Sequence, residues 1–185
     1  MLEPTSDAAE YELIQHCKTG AIKYQEQLYK RFYGYAMGIG LRYCDTRDDA
    51  LEVVNDSFIK VFNTIQSYNA DRSFKAWMRR IIINTSIDRR RKDLKYQLHT
   101  DMEYANHIGH NNTAIQQLNA KDILKLMDEL PAIQRAIFNL YEIDGYNHDE
   151  IAEMLTIPSS SSRVYLSRAK EKLRKALTTE AQSHE

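Results

Sequence analysis

Near its end the chain carries a short helix pattern, a break and a longer basic helix pattern, in the stretch NHDEIAEMLTIPSSSSRVYLSRAKEKLRK, Asn147–Lys175. Asn147 and Glu150 have the spacing of a capping box, in which two side chains bond the backbone N–H groups that begin a helix. Thr156-Ile157-Pro158 interrupts the first helix, and apolar residues at helical spacing continue in the second. A short helix, a tight turn and a serine-headed basic helix predict a helix-turn-helix, whose second helix enters the major groove of DNA.

Helical spacing of apolar residues also covers most of the chain before this stretch. We expect one helix that Pro131 stops and a second that ends near Asp144-Gly145. In the first half we expect two helices within Tyr11–Tyr43, separated at Gly20, and a third that begins at Thr46, with carboxylates in its first turn. A fourth helix is expected to end in Arg89–Lys92.

The composition agrees with a helical fold. The 185 residues are 43% hydrophobic and 28% charged, and only 6 glycines and 3 prolines leave little material for the turns of an all-β protein. Between residues 95 and 118 the helical spacing fails and polar residues accumulate, which is the composition of a linker. We therefore expect an all-α fold with two small helical domains, at residues 1–94 and 119–178, a polar linker at 95–118 and a tail at 179–185.

Several classes of site are excluded or disfavoured. Cys17 and Cys44 form no C-x-x-C pair, so they indicate neither a disulfide framework nor a structural zinc site. No stretch approaches the roughly 20 apolar residues of a membrane span, and the acidic N-terminus does not resemble a secretory signal, so we expect a cytoplasmic protein without membrane insertion. His107 and His110 have metal-ligand spacing, but a polar linker accumulates histidine by chance, and we expect no metal and no cofactor.

Charge is segregated along the chain, although the formal net charge is only −1. Basic residues form one block of Arg79, Arg80 and Arg89–Lys92 and another within Arg163–Lys175, whereas acidic residues crowd the stretch Asp45–Asp56. Two basic blocks separated by an acidic surface suggest a polyanion contacted at two places and a protein partner contacted between them. Solvated helix faces would account for either basic block alone.

The start of the last helix combines hydroxyls with basic side chains. Serine hydroxyls and the first backbone N–H groups of a helix can bind phosphate, and we expect the basic and aromatic residues that follow to point outward. Arg163 is the best candidate for contact with a base edge. The alternative is that the serines only cap the helix and the basic residues only make it soluble.

Three stretches of this sequence resemble a known family. Asp48–Phe62 reads DDALEVVNDSFIKVF, Ser73–Lys92 reads SFKAWMRRIIINTSIDRRRK, and Leu130–Lys175 begins LPAIQRAIFNLYEIDGY and runs on into the stretch quoted first. In this order they resemble the extracytoplasmic-function (ECF) sigma factors, with an N-terminal region 2 and a C-terminal region 4. The resemblance implies a transcription initiation factor that binds bacterial core RNA polymerase, directs it to specific promoters and helps to melt the minus-ten element. It also implies a separate anti-sigma factor as a partner.

The resemblance implies that the helix at Asp48–Phe62 docks on the clamp helices of the largest polymerase subunit. Its acidic and amide residues would face basic partner residues, and its apolar residues would give anchorage. The residues implied in core-polymerase binding are Asp48, Asp49, Leu51, Glu52, Val54, Asn55, Asp56 and Phe58.

The loop Asn69–Phe74 would accept a base flipped out of the minus-ten element, and the helix after it would hold the DNA backbone. Because extruding a base costs a few kcal/mol, a pocket and a stacking surface are needed. Phe74 and Trp77 are candidates for stacking, although either side chain can instead belong to the core. The residues implied in minus-ten contacts are Asn69, Asp71, Ser73, Phe74, Trp77, Arg79, Arg80, Asn84, Asp88, Arg89, Arg90 and Arg91.

The helix-turn-helix would read the minus-thirty-five element of the promoter. The residues implied in this contact are Ser159, Ser160, Ser161, Ser162, Arg163, Tyr165 and Arg168.

Three other functions compete with this interpretation. A stand-alone helix-turn-helix regulator would need a dimer interface or a sensory domain, and the first half offers an acidic helix and an aromatic, basic segment instead. An enzyme would need a nucleophile motif, a glycine-rich phosphate loop or a metal-ligand cluster, which the sequence does not contain, so we expect no enzyme. An adaptor that binds polymerase but not DNA would not need Arg89–Arg91 or Arg163, so charge reversal at those positions separates the two functions.

Overall fold

The structure, a computed structural model, describes residues 6–101, 127 and 129–182. Among these residues all regular secondary structure is helical, which confirms the all-α prediction. None of the described helices is both long and apolar enough to cross a membrane. The chain divides into two compact units, Met1–Asp88 and Arg89–Glu185. The predicted linker at 95–118 lies mostly outside the described residues, apart from helical backbone up to Asp101.

The first unit is built from helices joined by short connections. Their bounds are α1 Ser6–Lys18, α2 Ile22–Tyr43, α3 Arg47–Thr64, a 3-10 turn Ile65–Ser67, and α4 Phe74–Asp101, whose residues up to Asp88 belong to this unit. Gly20 separates α1 from α2 as predicted, and its φ of +79° lies in the left-handed region that favours glycine. The Thr46 side chain accepts a hydrogen bond from the Asp49 backbone N–H at 3.1 Å, which confirms the predicted start of α3.

The inner faces of these helices enclose an apolar core. Its largest buried side chains are Leu28, Phe32, Phe58, Ile65, Met78, Ile82 and Ile83. Full burial of each such side chain contributes about 1.5–3 kcal/mol, so the face that each helix turns inward is fixed. Cys17 and Cys44 are buried free thiols, and burial raises the pKa of Cys17 to about 11, so this thiol is inert at neutral pH.

α2 and α3 approach each other closely at one glycine. A Cβ added at Gly40 would lie 3.3 Å from the Ala50 carbonyl oxygen and 3.4 Å from the Ala50 Cβ. Gly38, two residues earlier on the same helix, is exposed and has no neighbouring atom within 4 Å of such a Cβ. Packing therefore requires glycine at position 40 and not at position 38.

α4 is longer than its sequence pattern predicted. We expected it to end in Arg89–Lys92, but the backbone stays helical to Asp101. Its inner face packs in the first unit through buried apolar side chains that include Met78, Ile82 and Ile87. Residues 93–101 contain good helix formers and neither glycine nor proline, so no helix-breaking residue ends the helix within them.

The described part of the second unit is also helical. Its elements are α5 Ala132–Phe138, a π-helical segment Asn139–Ile143, α6 His148–Leu155 and α7 Ser159–Gln182. Gly145, with a φ of +77°, follows the π-helical segment where the sequence predicted the end of that helix. The buried core of this unit includes Met127, Leu130, Ile133, Ile137, Leu140, Ile151, Leu155, Leu166, Ala169 and Leu173.

α6 and α7 form the predicted helix-turn-helix. The Asn147 side chain accepts a hydrogen bond from the Glu150 backbone N–H at 2.9 Å, and the Glu150 carboxylate accepts one from the Asn147 backbone N–H at 2.8 Å. These two bonds confirm the capping box. After α6, Thr156 takes a left-handed conformation with φ of 58°, and the Ile157 N–H donates to the Ala152 carbonyl at 3.0 Å. The chain thereby reverses and begins α7.

Candidate nucleic-acid and protein interfaces

The outer face of α3 is acidic, with apolar side chains between the charges. Asp48, Glu52 and Asp56 are exposed. Leu51 is 36% exposed and Ile59 is 58% exposed, and with Asn55 between them they occupy positions four residues apart on one side of the helix. The Tyr29 hydroxyl donates a hydrogen bond to the Asn55 side-chain oxygen at 3.0 Å, which orients this amide at the surface. The face offers both charge and apolar area to a partner.

Two of the residues predicted on this interface are buried. Val54 and Phe58 are 0% and 2% exposed, and Phe58 packs its ring against Tyr29 at 4.5 Å between centroids. Their side chains support α3 from the core and are not on the surface where we expected them. Ile59 was not among the predicted contacts. Its position eight residues after Leu51 was the available signal, because that spacing returns to the same helix face.

The loop between the 3-10 turn and α4 is held by its own hydrogen bonds. The Asp71 N–H donates to the Asn69 side-chain oxygen at 2.9 Å, and the Arg72 N–H donates to the Asn69 carbonyl at 3.1 Å. Ser73 immediately precedes α4, and its carbonyl accepts the first hydrogen bond of the helix, from the Trp77 N–H at 3.1 Å. These bonds form a turn of the kind that Asn and Asp side chains favour. Asn69, Asp71 and Ser73 are all exposed.

Three aromatic side chains stand beneath this loop. Phe74 is 2% exposed and packs against Phe32 at 5.1 Å and Tyr68 at 5.3 Å between ring centroids. It is therefore a core residue, and its ring is not available for stacking on a base. Trp77 is half-buried, with its ring 5.3 Å from Tyr68 and 5.6 Å from Phe74. Of the two predicted stacking residues, Trp77 keeps accessible surface.

Four of the predicted DNA-contacting residues of α4 share one exposed face. Arg80, Asn84, Asp88 and Arg91 recur every three or four residues and are all exposed. Asp88 lies 3.8 Å from the Lys60 ammonium of α3, so part of its charge is balanced within the unit. Of the other predicted contacts on this helix, Arg89 is exposed, whereas Arg79 and Arg90 are half-buried.

The predicted DNA-contacting residues at the head of α7 lie partly at the surface and partly in the core. Ser160 and Arg163 are exposed, and Ser159, Ser161 and Arg168 are half-buried. Ser162 and Tyr165 were expected to face DNA, but they are 0% and 4% exposed. The reason is helical period, because both lie on the face that carries the buried Leu166, Ala169 and Leu173. The Arg168 guanidinium lies 6.0 Å from the Tyr165 ring centroid.

His148 connects the two helices of the helix-turn-helix. Its Nδ1 lies 2.9 Å from the Ser162 hydroxyl, and its ring stacks on Tyr141 at 4.5 Å between centroids. Burial, and then the positive charge of Arg163, lower the pKa of His148 below its usual value, with a smaller opposing effect of Asp149. His148 was not among the residues predicted from the sequence. A histidine in the first turn of a capped helix gives no signal of its partner fourteen residues later.

The metal site considered at His107 and His110 lies outside the described residues. Within the part of the chain that the structure describes, no group of three or more His, Cys, Asp or Glu side chains could hold a metal ion.

Two family models match this chain, in separate segments. The model described as Sigma-70 region 2 matches residues 28–95, which include α3, the loop and the exposed face of α4. The model described as Sigma-70, region 4 matches residues 120–173, which include α6 and the head of α7. Each predicted interface therefore falls within a matched segment.

Several known proteins are similar to this chain over most of its length. The ECF RNA polymerase sigma factor SigW of Bacillus subtilis is 30% identical over 70% of this chain and 75% of that protein. The ECF RNA polymerase sigma-E factor of Haemophilus influenzae is 25% identical over 92% of this chain and 95% of that protein. The sigma factor RpoE of Bartonella quintana, solved in complex with the anti-sigma factor NepR, is 20% identical and matches with a TM-score of 0.51 over 83% of this chain and 96% of that chain. This last likeness is one of fold.

Proposed function

Because the chain belongs to the ECF family of RNA polymerase sigma factors, which direct the polymerase to promoters, we propose a role for each of its surfaces in transcription initiation. The first unit binds bacterial core RNA polymerase through α3 and holds the minus-ten element with the loop and α4. The second unit binds the minus-thirty-five element with the head of α7. The division into region 2 at residues 1–94, a linker at 95–118 and region 4 at 119–178 belongs to the same proposal.

The outer face of α3 is the observation that supports polymerase binding most strongly. On this face Ile59 is 58% exposed and Leu51 is 36% exposed, beside three exposed carboxylates. Carboxylates around apolar anchors suit a basic helical partner, such as the clamp helices of the largest polymerase subunit. We assign the apolar anchorage to Leu51 and Ile59, and we assign to Val54 and Phe58 the support of the helix from inside.

The loop Asn69–Ser73 and Trp77 support a role in melting the minus-ten element. A flipped base needs polar groups for its edge and a flat surface for its face. The exposed loop side chains supply the first, and the accessible part of the Trp77 ring supplies the second. The exposed arginines of α4 then neutralise phosphates on the same side of the unwound DNA.

The head of α7 supports sequence reading in the second unit. Arg163 is exposed in the first turns of this helix, where side chains of a recognition helix reach base edges. Ser160 and Ser161 lie beside the first backbone N–H groups of α7, where a phosphate can be bound. In this proposal Tyr165 and Ser162 hold the helix in place and do not touch DNA.

Other attributes of the chain follow from the same function. The complex of the similar Bartonella quintana protein with an anti-sigma factor supports a separate anti-sigma factor as a partner of this chain. A factor that works on RNA polymerase acts in the cytoplasm. It acts by binding, so we propose no enzyme activity of its own and no cofactor.

Charge reversal on α3 tests the polymerase contact. We expect Asp56→Arg to weaken binding to core polymerase by about 100-fold or more, because like charges brought together at an interface cost several kcal/mol. The measurement is a titration of dye-labelled factor with purified core enzyme, followed by fluorescence anisotropy.

A matched control separates the site from the net charge. Glu12 is an exposed carboxylate on another helix, α1, and Glu12→Arg changes the net charge by the same amount. We expect this variant to bind core polymerase as the wild type does. Equal affinity of the Asp56→Arg variant and the wild type would show that α3 is not the docking element.

A further inference from the structure

We propose that Tyr68, held in place by Lys18 of α1, is a positioning residue that fixes the shape of the loop Asn69–Ser73 for capture of a flipped minus-ten base. The inference rests on the proposed function of that loop. Neither residue was singled out by the sequence, and neither is exposed enough to be a main contact of DNA, because Tyr68 is 8% exposed and Lys18 is half-buried.

The Tyr68 hydroxyl closes the loop. It donates a hydrogen bond to the Arg72 carbonyl, four residues later, and so spans the whole turn. Within that span the Arg72 N–H bonds the Asn69 carbonyl, and the Asp71 N–H bonds the Asn69 side chain. The hydroxyl adds a contact from the core to a turn that otherwise has only local bonds.

The Tyr68 ring cannot move without disturbing its neighbours. It meets Phe74 edge-on, with an interplanar angle of 88° and 5.3 Å between centroids. It also meets Trp77 at 46° and 5.3 Å. Aromatic pairs at such distances and angles are favourable, so the ring holds its hydroxyl at one place beneath the loop. The same contacts link the loop to Trp77, the proposed stacking surface.

The C-terminal end of α1 holds Tyr68 from the other side. The Lys18 ammonium donates to the Tyr68 carbonyl at 3.3 Å and lies 5.9 Å from the centroid of its ring. The Gln66 side-chain amide donates in turn to the Lys18 carbonyl. α1 and the 3-10 turn are therefore joined by reciprocal bonds at the point where the loop begins.

A fixed loop favours base capture for an entropic reason. Ordering one backbone residue costs about 1–2 kcal/mol, so a loop that is already ordered loses less on binding than one that is not. Base extrusion itself is unfavourable by a few kcal/mol, which makes the capture step sensitive to such a difference. Removing the Tyr68 hydroxyl should therefore weaken binding of the flipped base and leave polymerase binding unchanged.

The test uses Tyr68→Phe in the full chain bound to core polymerase. The probe is a labelled single-stranded non-template oligonucleotide that carries the minus-ten element of a start site mapped with the wild-type factor. We expect affinity for this probe to fall about 3- to 10-fold, in line with the loss of one hydrogen bond. With an abasic site at the flipped position, wild type and variant should bind equally, which a merely structural defect would not produce.

Two further variants complete the test. Tyr35→Phe removes another hydroxyl bond to a carbonyl, that of Lys75, and this bond lies outside the loop. It should leave probe affinity unchanged. Lys18→Met keeps the stem of the side chain and removes its ammonium, and it should weaken probe binding in the same base-dependent way as Tyr68→Phe.

The outcomes distinguish this inference from the proposed function. Failure of the wild-type complex to bind the probe would overturn the proposed minus-ten role, and this inference with it. Binding by the wild type with undiminished binding by the Tyr68→Phe variant would overturn the positioning role alone. A loss that persists with the abasic probe would do the same, because it would not depend on the captured base.

Discussion

Arg163 is the exposed arginine at the head of α7, and its role is testable by truncation. We expect Arg163→Ala to lower promoter-dependent transcription about 10-fold and to leave core-polymerase binding intact. The physical reason is that a bidentate contact of arginine with a base contributes about 1–3 kcal/mol of discrimination. Transcript yield from a mapped promoter and from a template with a scrambled minus-thirty-five element gives the measurement.

Lys172 supplies the matched control for Arg163. It is exposed on the same helix, nine residues later and beyond the first turns. Lys172→Ala removes the same charge, and we expect a small loss that is equal on both templates. Should the Arg163→Ala variant lose core binding as well as transcription, the assignment to the minus-thirty-five element would fail.

Because the pKa of His148 is lowered in the folded chain, we expect stability to depend on pH. Burial and Arg163 lower its pKa in the folded chain, so the folded state resists a proton that the unfolded chain takes up near the ordinary value of about 6.5. Its contribution to stability is therefore present above pH 6.5 and is lost as the pH falls from there through the folded pKa. We expect the urea midpoint of the wild type, followed by circular dichroism, to fall between pH 7.5 and 5.5.

The difference between wild type and a His148→Asn variant isolates this effect from the other ionisable groups. We expect the variant to lose less of its midpoint over the same pH range, since asparagine does not titrate. Parallel curves for the two proteins would contradict the assignment.

The sequence predicted the direction of some of the candidate side chains and not of others. Arg163 and Asp56 lie at the surface as expected, but Tyr165 and Phe58 are buried. An aromatic residue in an amphipathic helix fits a surface or a core, and its side is decided by the neighbouring helix that covers it. Tyr68 was not singled out because Lys18, which donates to its carbonyl, is fifty residues away in the sequence.

At the scale of the element, the contact between α2 and α3 predicts different effects on stability for alanine at two glycines of α2. Gly38→Ala should raise the free energy of unfolding by about 0.5–1 kcal/mol, because alanine restricts the unfolded chain and fits the helix with no neighbour in the way. Gly40→Ala brings the same helical gain but presses a methyl group against Ala50. We therefore expect Gly40→Ala to be clearly less stable than Gly38→Ala in urea unfolding. Equal gains would mean that the two helices have room to separate at this point.

Elements were predictable where a local signal marks their ends. The capping box at Asn147, the cap at Thr46 and the glycine at position 20 each gave the correct boundary. α4 ran past its predicted end because the basic block Arg89–Lys92 was taken as a terminus, whereas charge alone does not stop a helix. The π-helical segment Asn139–Ile143 has no sequence signal that distinguishes it from the helix before it.

At the scale of the whole molecule, a net charge of −1 conceals surfaces of opposite sign. The outer face of α3 is acidic, while the exposed face of α4 and the head of α7 are basic. Electrostatic attraction to DNA depends on local charge, so a nearly neutral protein can bind DNA at two elements and a basic protein partner at a third. A stand-alone regulator would not need the acidic, partly apolar outer face of α3. An adaptor that does not bind DNA would not need the basic surfaces of α4 and α7.

The central claim is that this chain directs core RNA polymerase to promoters, and run-off transcription tests it most directly. Purified bacterial core enzyme would transcribe genomic DNA fragments with the wild-type factor, with the Asp56→Arg variant and with no factor, and transcript starts would be mapped. We predict discrete new starts that share two upstream elements, present with the wild type and absent from the other two reactions. The same set of starts in all three reactions, despite measured binding of the wild-type factor to the core enzyme, would contradict the account.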